Sequence, residues 1–146
     1  MIQKIVSILI FSTCLLMSYD TGDRLDENVV KKLGLQKDKV YVVDFFASWC
    51  HACKKELPLI SKLYDEKVVE IVGINVDKDS VIAKNFVTKQ KLSFPIVYDT
   101  NHALISKFNP AGIPALYYIR NAKVLKVQIG AIKHIDIQIK KEIKGL

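Results

Sequence analysis

The segment that most constrains this chain is Val40-Tyr41-Val42-Val43-Asp44-Phe45-Phe46. β-Branched and aromatic residues fill both alternating faces, so a strand from Lys39 to Ala47 has to be covered on both sides. Next, Cys50 to about Glu66 carries Leu57, Ile60, Leu63 and Tyr64 at helical spacing, with Pro58 expected to kink the helix. Val68–Val76 reads as a second continuous apolar strand. Lys78–Gln90 reads as a helix with Val81, Ile82, Phe86 and Val87 facing inward. A short strand at Phe94–Tyr98 and a short helix at His102–Phe108 follow. Ala115–Ile119 and Val124–Ile129 flank Asn121-Ala122 and predict a hairpin, and Ile132, Ile135, Ile139 and Ile143 predict a last amphipathic helix. Upstream, Leu25, Val29, Val30 and Leu33 mark a helix face that Gly34 would cap. Strand–helix alternation closed by a hairpin and a helix is an α/β pattern: a central mixed β-sheet with helices on both faces.

The 146 residues suit one domain with a full core. The net charge of +7 is spread along the chain, with no basic block interleaved with aromatics, which argues against nucleic acid. It fits a mild preference for acidic partners or an anionic membrane surface. Residues 1–18 differ from the rest. Lys4 is followed by about a dozen mostly apolar residues and then Ser18, the layout of a secretory signal. The run is shorter than the ~20 residues of a spanning helix, so cleavage near Ser18 is the first reading. A retained membrane anchor and lipidation at Cys14 are the others. Residues 19–24 are polar and read as a tether, leaving 25–146 as the folded domain.

Both cysteines beyond this leader fall in Trp49-Cys50-His51-Ala52-Cys53. Cys50 would sit after a buried strand and at the start of a helix, where free amides and the helix dipole favour an anion. Its thiol should ionise readily and attack as thiolate, while Cys53, one turn further in, should be more buried. Half a zinc site is a poor alternative, because the chain has no second cysteine pair and only three histidines, His51, His102 and His134. A copper(I) site and a plain structural disulfide remain open.

Val42 to Lys54 resembles the active-site strand and helix of thioredoxin-fold proteins, and Gly112-Ile113-Pro114-Ala115-Leu116 resembles their cis-proline loop. The resemblance runs over about residues 35–146. An export signal, Lys54-Lys55-Glu56-Leu57-Pro58 after the cysteines, and the 37 residues between Val76 and Pro114 resemble the TlpA/ResA branch of exported reductases. The resemblance implies Cys50 as the attacking and Cys53 as the resolving cysteine. Trp49 would pack beside the site or simply fill the core. Asp44 would be a buried acid that shuttles the proton of Cys53, or only a satisfied core aspartate. Glu56 would be an active-site glutamate or a solvated helix charge, and Pro58 would be structural. Pro114 would form a cis bond that exposes the Ile113 backbone to an added substrate strand. The His51-Ala52 pair departs from the family pattern. A protonated His51 would stabilise the thiolate and make the couple more oxidising.

The resemblance implies an exported thiol-disulfide oxidoreductase. Its expected task is to reduce cysteine-containing extracytoplasmic proteins, apocytochrome c among the candidates, with a membrane thiol reductase as electron donor. A dithiol oxidase or isomerase and a copper(I) metallochaperone are the alternatives. Expected further are a periplasmic or envelope-exterior location, a monomer, and no cofactor or metal beyond the Cys50–Cys53 disulfide.

Overall fold

The computed structural model describes residues 18–146. The expected signal, anchor or lipidation segment lies outside the described residues, apart from Ser18. In chain order the elements are α1 (Glu27–Leu33), β1 (Val40–Phe46), α2 (His51–Asp65), β2 (Glu70–Asn75), α3 (Ser80–Lys89), β3 (Ile96–Tyr98), α4 (Ala103–Phe108), β4 (Ala115–Arg120), β5 (Lys123–Ile129) and α5 (Ile135–Lys144). They build one five-stranded sheet in the order β3-β2-β1-β4-β5. β1 pairs parallel with β2 and antiparallel with β4, which makes it the central strand its two apolar faces demand.

Alternation along β1 assigns the layers. Phe46 packs on Phe86 of α3, and Asp44 on that same face interacts with Glu56 of α2. Phe45, on the other face, packs on Phe108 of α4 and on Tyr117. Helices therefore cover both faces. Both parallel crossovers, through α2 and α3, lie on one face, as a right-handed twist requires. Gly34 ends α1 in the left-handed region at φ 66°, as its position after the last apolar residue predicts. The β4–β5 turn places Asn121 and Ala122 at φ 52° and 60°.

Two expectations are corrected. Residues 19–24 are not a free tether. Tyr19 is buried edge-on against Phe108 with ring centroids 4.9 Å apart. Gly22 N–H donates to the Val124 carbonyl and Val124 N–H to that of Asp23, at 2.8 and 2.9 Å. The polar composition hid a segment that is held by its backbone and that covers the open edge of β5. In α3, Val81 and Ile82 are exposed while Ala83 and Phe86 are buried. Ile82–Phe86 and Ala83–Phe86–Val87 are overlapping stripes at helical spacing, and hydrophobicity alone favours the wrong one.

Candidate active site

β1 ends at Phe46, and a short loop leads to α2. Cys50 is the N-cap residue of that helix, with extended backbone (φ −81°, ψ 102°), and its Sγ accepts the N–H of Cys53 at 3.2 Å. The sulfur thus takes the place of a capping oxygen, at the end of the helix that favours negative charge. Cys50 and Cys53 are joined in a disulfide with Cα atoms 5.3 Å apart. Cys50 is 6% exposed and Cys53 1%, so Cys50 is the sulfur an incoming group meets first. His51 is exposed beside them.

The strand and helix that flank the pair carry two buried carboxyls. Asp44, in β1, is held well above the usual carboxylate range, first by burial and then by the negative charge of Glu56. Its Oδ1 has no hydrogen-bond partner. Glu56 lies one turn beyond Cys53 on the buried face of α2, which overturns the solvated-charge reading. Its Oε1 accepts the Ile132 amide at 2.6 Å, and its Oε2 is unpartnered. Burial raises its pKa and the Ile132 N–H partly offsets this. The Ile113–Pro114 peptide is cis. Ala115 pairs with Phe45, so Ile113 and Pro114 leave β4 at the sheet end where β1 turns toward Cys50. The structure thus brings Cys50, Cys53, Ile113 and Pro114 to one end of the sheet, with Asp44 and Glu56 buried in the strand and the helix that flank the dithiol.

Comparison with known proteins agrees with this geometry. The model of the AhpC/TSA family matches residues 21–128. The chain belongs to the AhpC/TSA family. Among curated relatives of this family member, the thiol-disulfide oxidoreductase ResA of Bacillus anthracis is 31% identical over 121 residues, covering 79% of this chain and 66% of the relative. ResA of Bacillus subtilis is 31% identical over 100 residues, covering 66% and 56%. The chain therefore spans somewhat under two thirds of the length of the relatives it matches. StoA from Bacillus subtilis superposes with a TM-score of 0.65 at 28% identity, covering 73% of this chain and 83% of that one. A thiol:disulfide interchange protein DsbE from Chlorobium tepidum superposes with a TM-score of 0.72 at 24% identity over 88% and 98%. The fold of this family member is thioredoxin-like, as its resemblance implies.

Trp49 is 68% exposed, so it fills no core. The other exposed large apolar residues among those described are Val81, Ile82, Ile129 and Ile137. Val81 and Ile82 lie in the first turn of α3, Ile129 ends β5, and Ile137 is in the first turn of α5. Each of these positions belongs to the sheet end that carries Cys50. Sequence reasoning missed two groups at this end. One is the Ile132 amide, whose role any backbone could fill. The other is Asp77, buried and bonded to Ser48. The only signal for Asp77 was a pair of polar residues, Asn75 and Asp77, closing an otherwise apolar strand.

Proposed function

We propose that this protein is a thiol-disulfide oxidoreductase that reduces disulfides in exported, cysteine-containing polypeptides. The observation that carries the reading is Cys50 as N-cap, its sulfur facing the Cys53 amide and bridged to a more buried partner. In the reduced protein the Cys50 thiolate attacks a substrate disulfide. A mixed disulfide forms and one substrate thiolate leaves. Cys53 then gives its proton to the Asp44 carboxylate, and its thiolate attacks Cys50 Sγ. The mixed bond breaks, the second substrate sulfur leaves as thiolate and is protonated, and Cys50–Cys53 is oxidised by two electrons. Burial raises the pKa of Asp44, so its carboxylate, once formed, is a stronger proton acceptor than an exposed one. Glu56 stays fixed to the α5 side through Ile132 and holds its own charge near Asp44. A charge on either carboxyl would disfavour a thiolate nearby, which supports electron flow from this protein to its substrate rather than the reverse.

The substrate class follows from the surface. The disulfide lies at the sheet end where the exposed apolar residues fall, and the Ile113 backbone beside the cis bond would offer an edge for an added strand. Both features suit an unfolded chain, with apocytochrome c as a candidate. The wider assignment comprises export or anchoring through residues 1–18, an extracytoplasmic location, a membrane thiol reductase as electron donor and action as a monomer. The test has two arms. The midpoint potential of the Cys50–Cys53 couple is expected below about −200 mV. Cys53→Ser expressed in cells is expected to retain mixed disulfides with cysteine-bearing extracytoplasmic proteins. A clearly higher potential rules out the reductase direction, and an empty trap rules out the substrate class.

A further inference from the structure

We propose that Asp77 is a positioning residue for Cys50, a carboxylate strap that sets the path of the loop between β1 and α2. This rests on reading Cys50 as the attacking thiol. After Phe46 the loop leaves the sheet, since the Phe46 carbonyl already accepts the Val76 amide at 2.9 Å. Three hydrogen bonds given by the loop then fix its course to Cys50. Cys50 N–H donates to the Ala47 carbonyl at 3.2 Å, a turn within the loop itself. The other two tie it to the rest of the molecule, and both end on Asp77. Ser48 N–H donates to Oδ2 at 2.9 Å and Ser48 Oγ–H to Oδ1 at 2.8 Å.

Asp77 is itself held in place. It is buried, and its Oδ2 also accepts from Asn75 Nδ2 at 2.8 Å. Its own N–H donates to Asn75 Oδ1 at 3.0 Å. Asn75 ends β2, directly opposite Phe46 of β1. The carboxylate therefore bridges the rigid ends of the two central strands and the residue two before the sulfur. It has no ion-pair partner among the described residues, so hydrogen bonds alone satisfy it. Without the strap, the loop keeps its internal turn and, at Cys50, the Lys54 N–H on the Cys50 carbonyl at 3.2 Å, but nothing ties Ser48 to the sheet. Cys50 Sγ then loses its fixed distance to the Cys53 amide, which is the contact that favours the thiolate.

Replacement by asparagine separates position from charge. In Asp77→Asn the amide oxygen can take the Oδ2 place and accept from Ser48 N–H and Asn75. The amide nitrogen can take the Oδ1 place and donate to the Ser48 hydroxyl. All three bonds persist and the charge is lost. Asp77→Ala loses both.

The readout is iodoacetamide alkylation of Cys50 in the reduced full chain, followed by mass spectrometry across pH. The other titratable groups of this end, Asp44, His51, Glu56, Asp79, Asp99, His102 and His134 among them, are common to every variant. For Asp77→Ala we expect the alkylation midpoint to rise, with the rate at pH 6 falling about fivefold, roughly 0.7 pH unit, and the rate at pH 10 nearly unchanged. Asp77→Asn should hold the wild-type midpoint or fall below it, because removing a negative charge favours a nearby thiolate. Ser48→Ala, which keeps the amide bond and removes only the hydroxyl, should give a smaller rise and serves if Asp77→Ala does not fold.

A wild-type midpoint in both Asp77→Ala and Ser48→Ala, or a rise in Asp77→Asn equal to that in Asp77→Ala, overturns the strap. A wild-type midpoint no lower than that of a free thiol instead overturns Cys50 as the activated sulfur, and the strap with it. The wild-type curve thus distinguishes the two failures.

Discussion

Asp44 is an acid in a place that gives it no reason to be charged. It stands in the middle of the central strand, buried, with one oxygen unpartnered and Glu56 as its nearest charge. Folding moves its pKa well above the ordinary 3.8. The folded state thus holds its proton over a pH window in which the unfolded chain has lost it. In that window the native state binds more protons, so stability falls as pH rises from about 4 through the folded pKa. This is the opposite of a salt-bridged carboxylate. Asp44→Asn removes the penalty. Its melting temperature is expected to exceed that of the wild type by several degrees at pH 8 and by little at pH 4.5, with disulfide turnover slowed about tenfold or more for want of a proton acceptor. Thermal denaturation at the two pH values checks the first expectation and single-turnover reduction the second. Equal melting curves at pH 8 would show that the carboxyl is relieved in some other way. Glu56 shares the direction of shift but keeps the Ile132 amide, so Glu56→Gln is expected to change the pH dependence less.

At the scale of elements, the site depends on how closely β2 lets its neighbours approach. Gly73 pairs with Asp44 on one side and Ile96 on the other. A Cβ there would meet side-chain atoms of Ile96, Phe46 and Phe94, each at 2.8 Å. The absent side chain lets Phe46 and Phe94 close over the strand on the face where α2 and α3 pack. Gly73→Ala is therefore expected to lose about 1–3 kcal/mol of stability through overpacking, read from the urea midpoint with an unchanged slope. A neutral result would mean that the two rings give way at little cost. α2 meets its own constraint differently. Pro58 lies inside it and has no N–H to give to Lys54, yet the buried stripe Cys53, Glu56, Leu57, Ile60 continues past it. Packing on β1, rather than local propensity, holds this helix in register and with it the distance between Cys53 and Glu56.

Over the whole molecule, the large apolar side chains that stay exposed among the described residues gather at one end of the sheet. Trp49, Val81, Ile82, Ile129 and Ile137 lie at the sheet end that carries the disulfide, while the opposite end has a surface hollow lined by Lys39, Lys67, Glu70 and Lys144 together with Val40, Val68 and Ile143. Polypeptide substrates that bind the apolar end should notice its loss, whereas a small disulfide should not. Replacing Val81 and Ile82 together by serine is expected to slow reduction of an unfolded protein disulfide about fivefold or more. The rate with a small aromatic disulfide and the stability should barely change, since these side chains touch no core. Equal slowing of both substrates, followed in one stopped-flow series, would place the effect at the sulfur instead. The sequence by itself determined the central strand, the order of elements and the dithiol at a helix start, because each is a local pattern: two apolar faces, a 3.6-residue stripe, two sulfurs one turn apart. It also made Asp44 conspicuous, as a lone acid in an apolar run. Tertiary structure alone decided the rest. Whether Glu56 is buried depends on α5 arriving with Ile132. Which stripe of α3 faces inward depends on Phe46. The docking of 19–24 depends on an unpaired edge of β5, and the grip on Ser48 depends on Asp77, 29 residues away. In each case the deciding partner is remote in sequence, and its effect is exerted through backbone groups or burial, which no local pattern of residue types records.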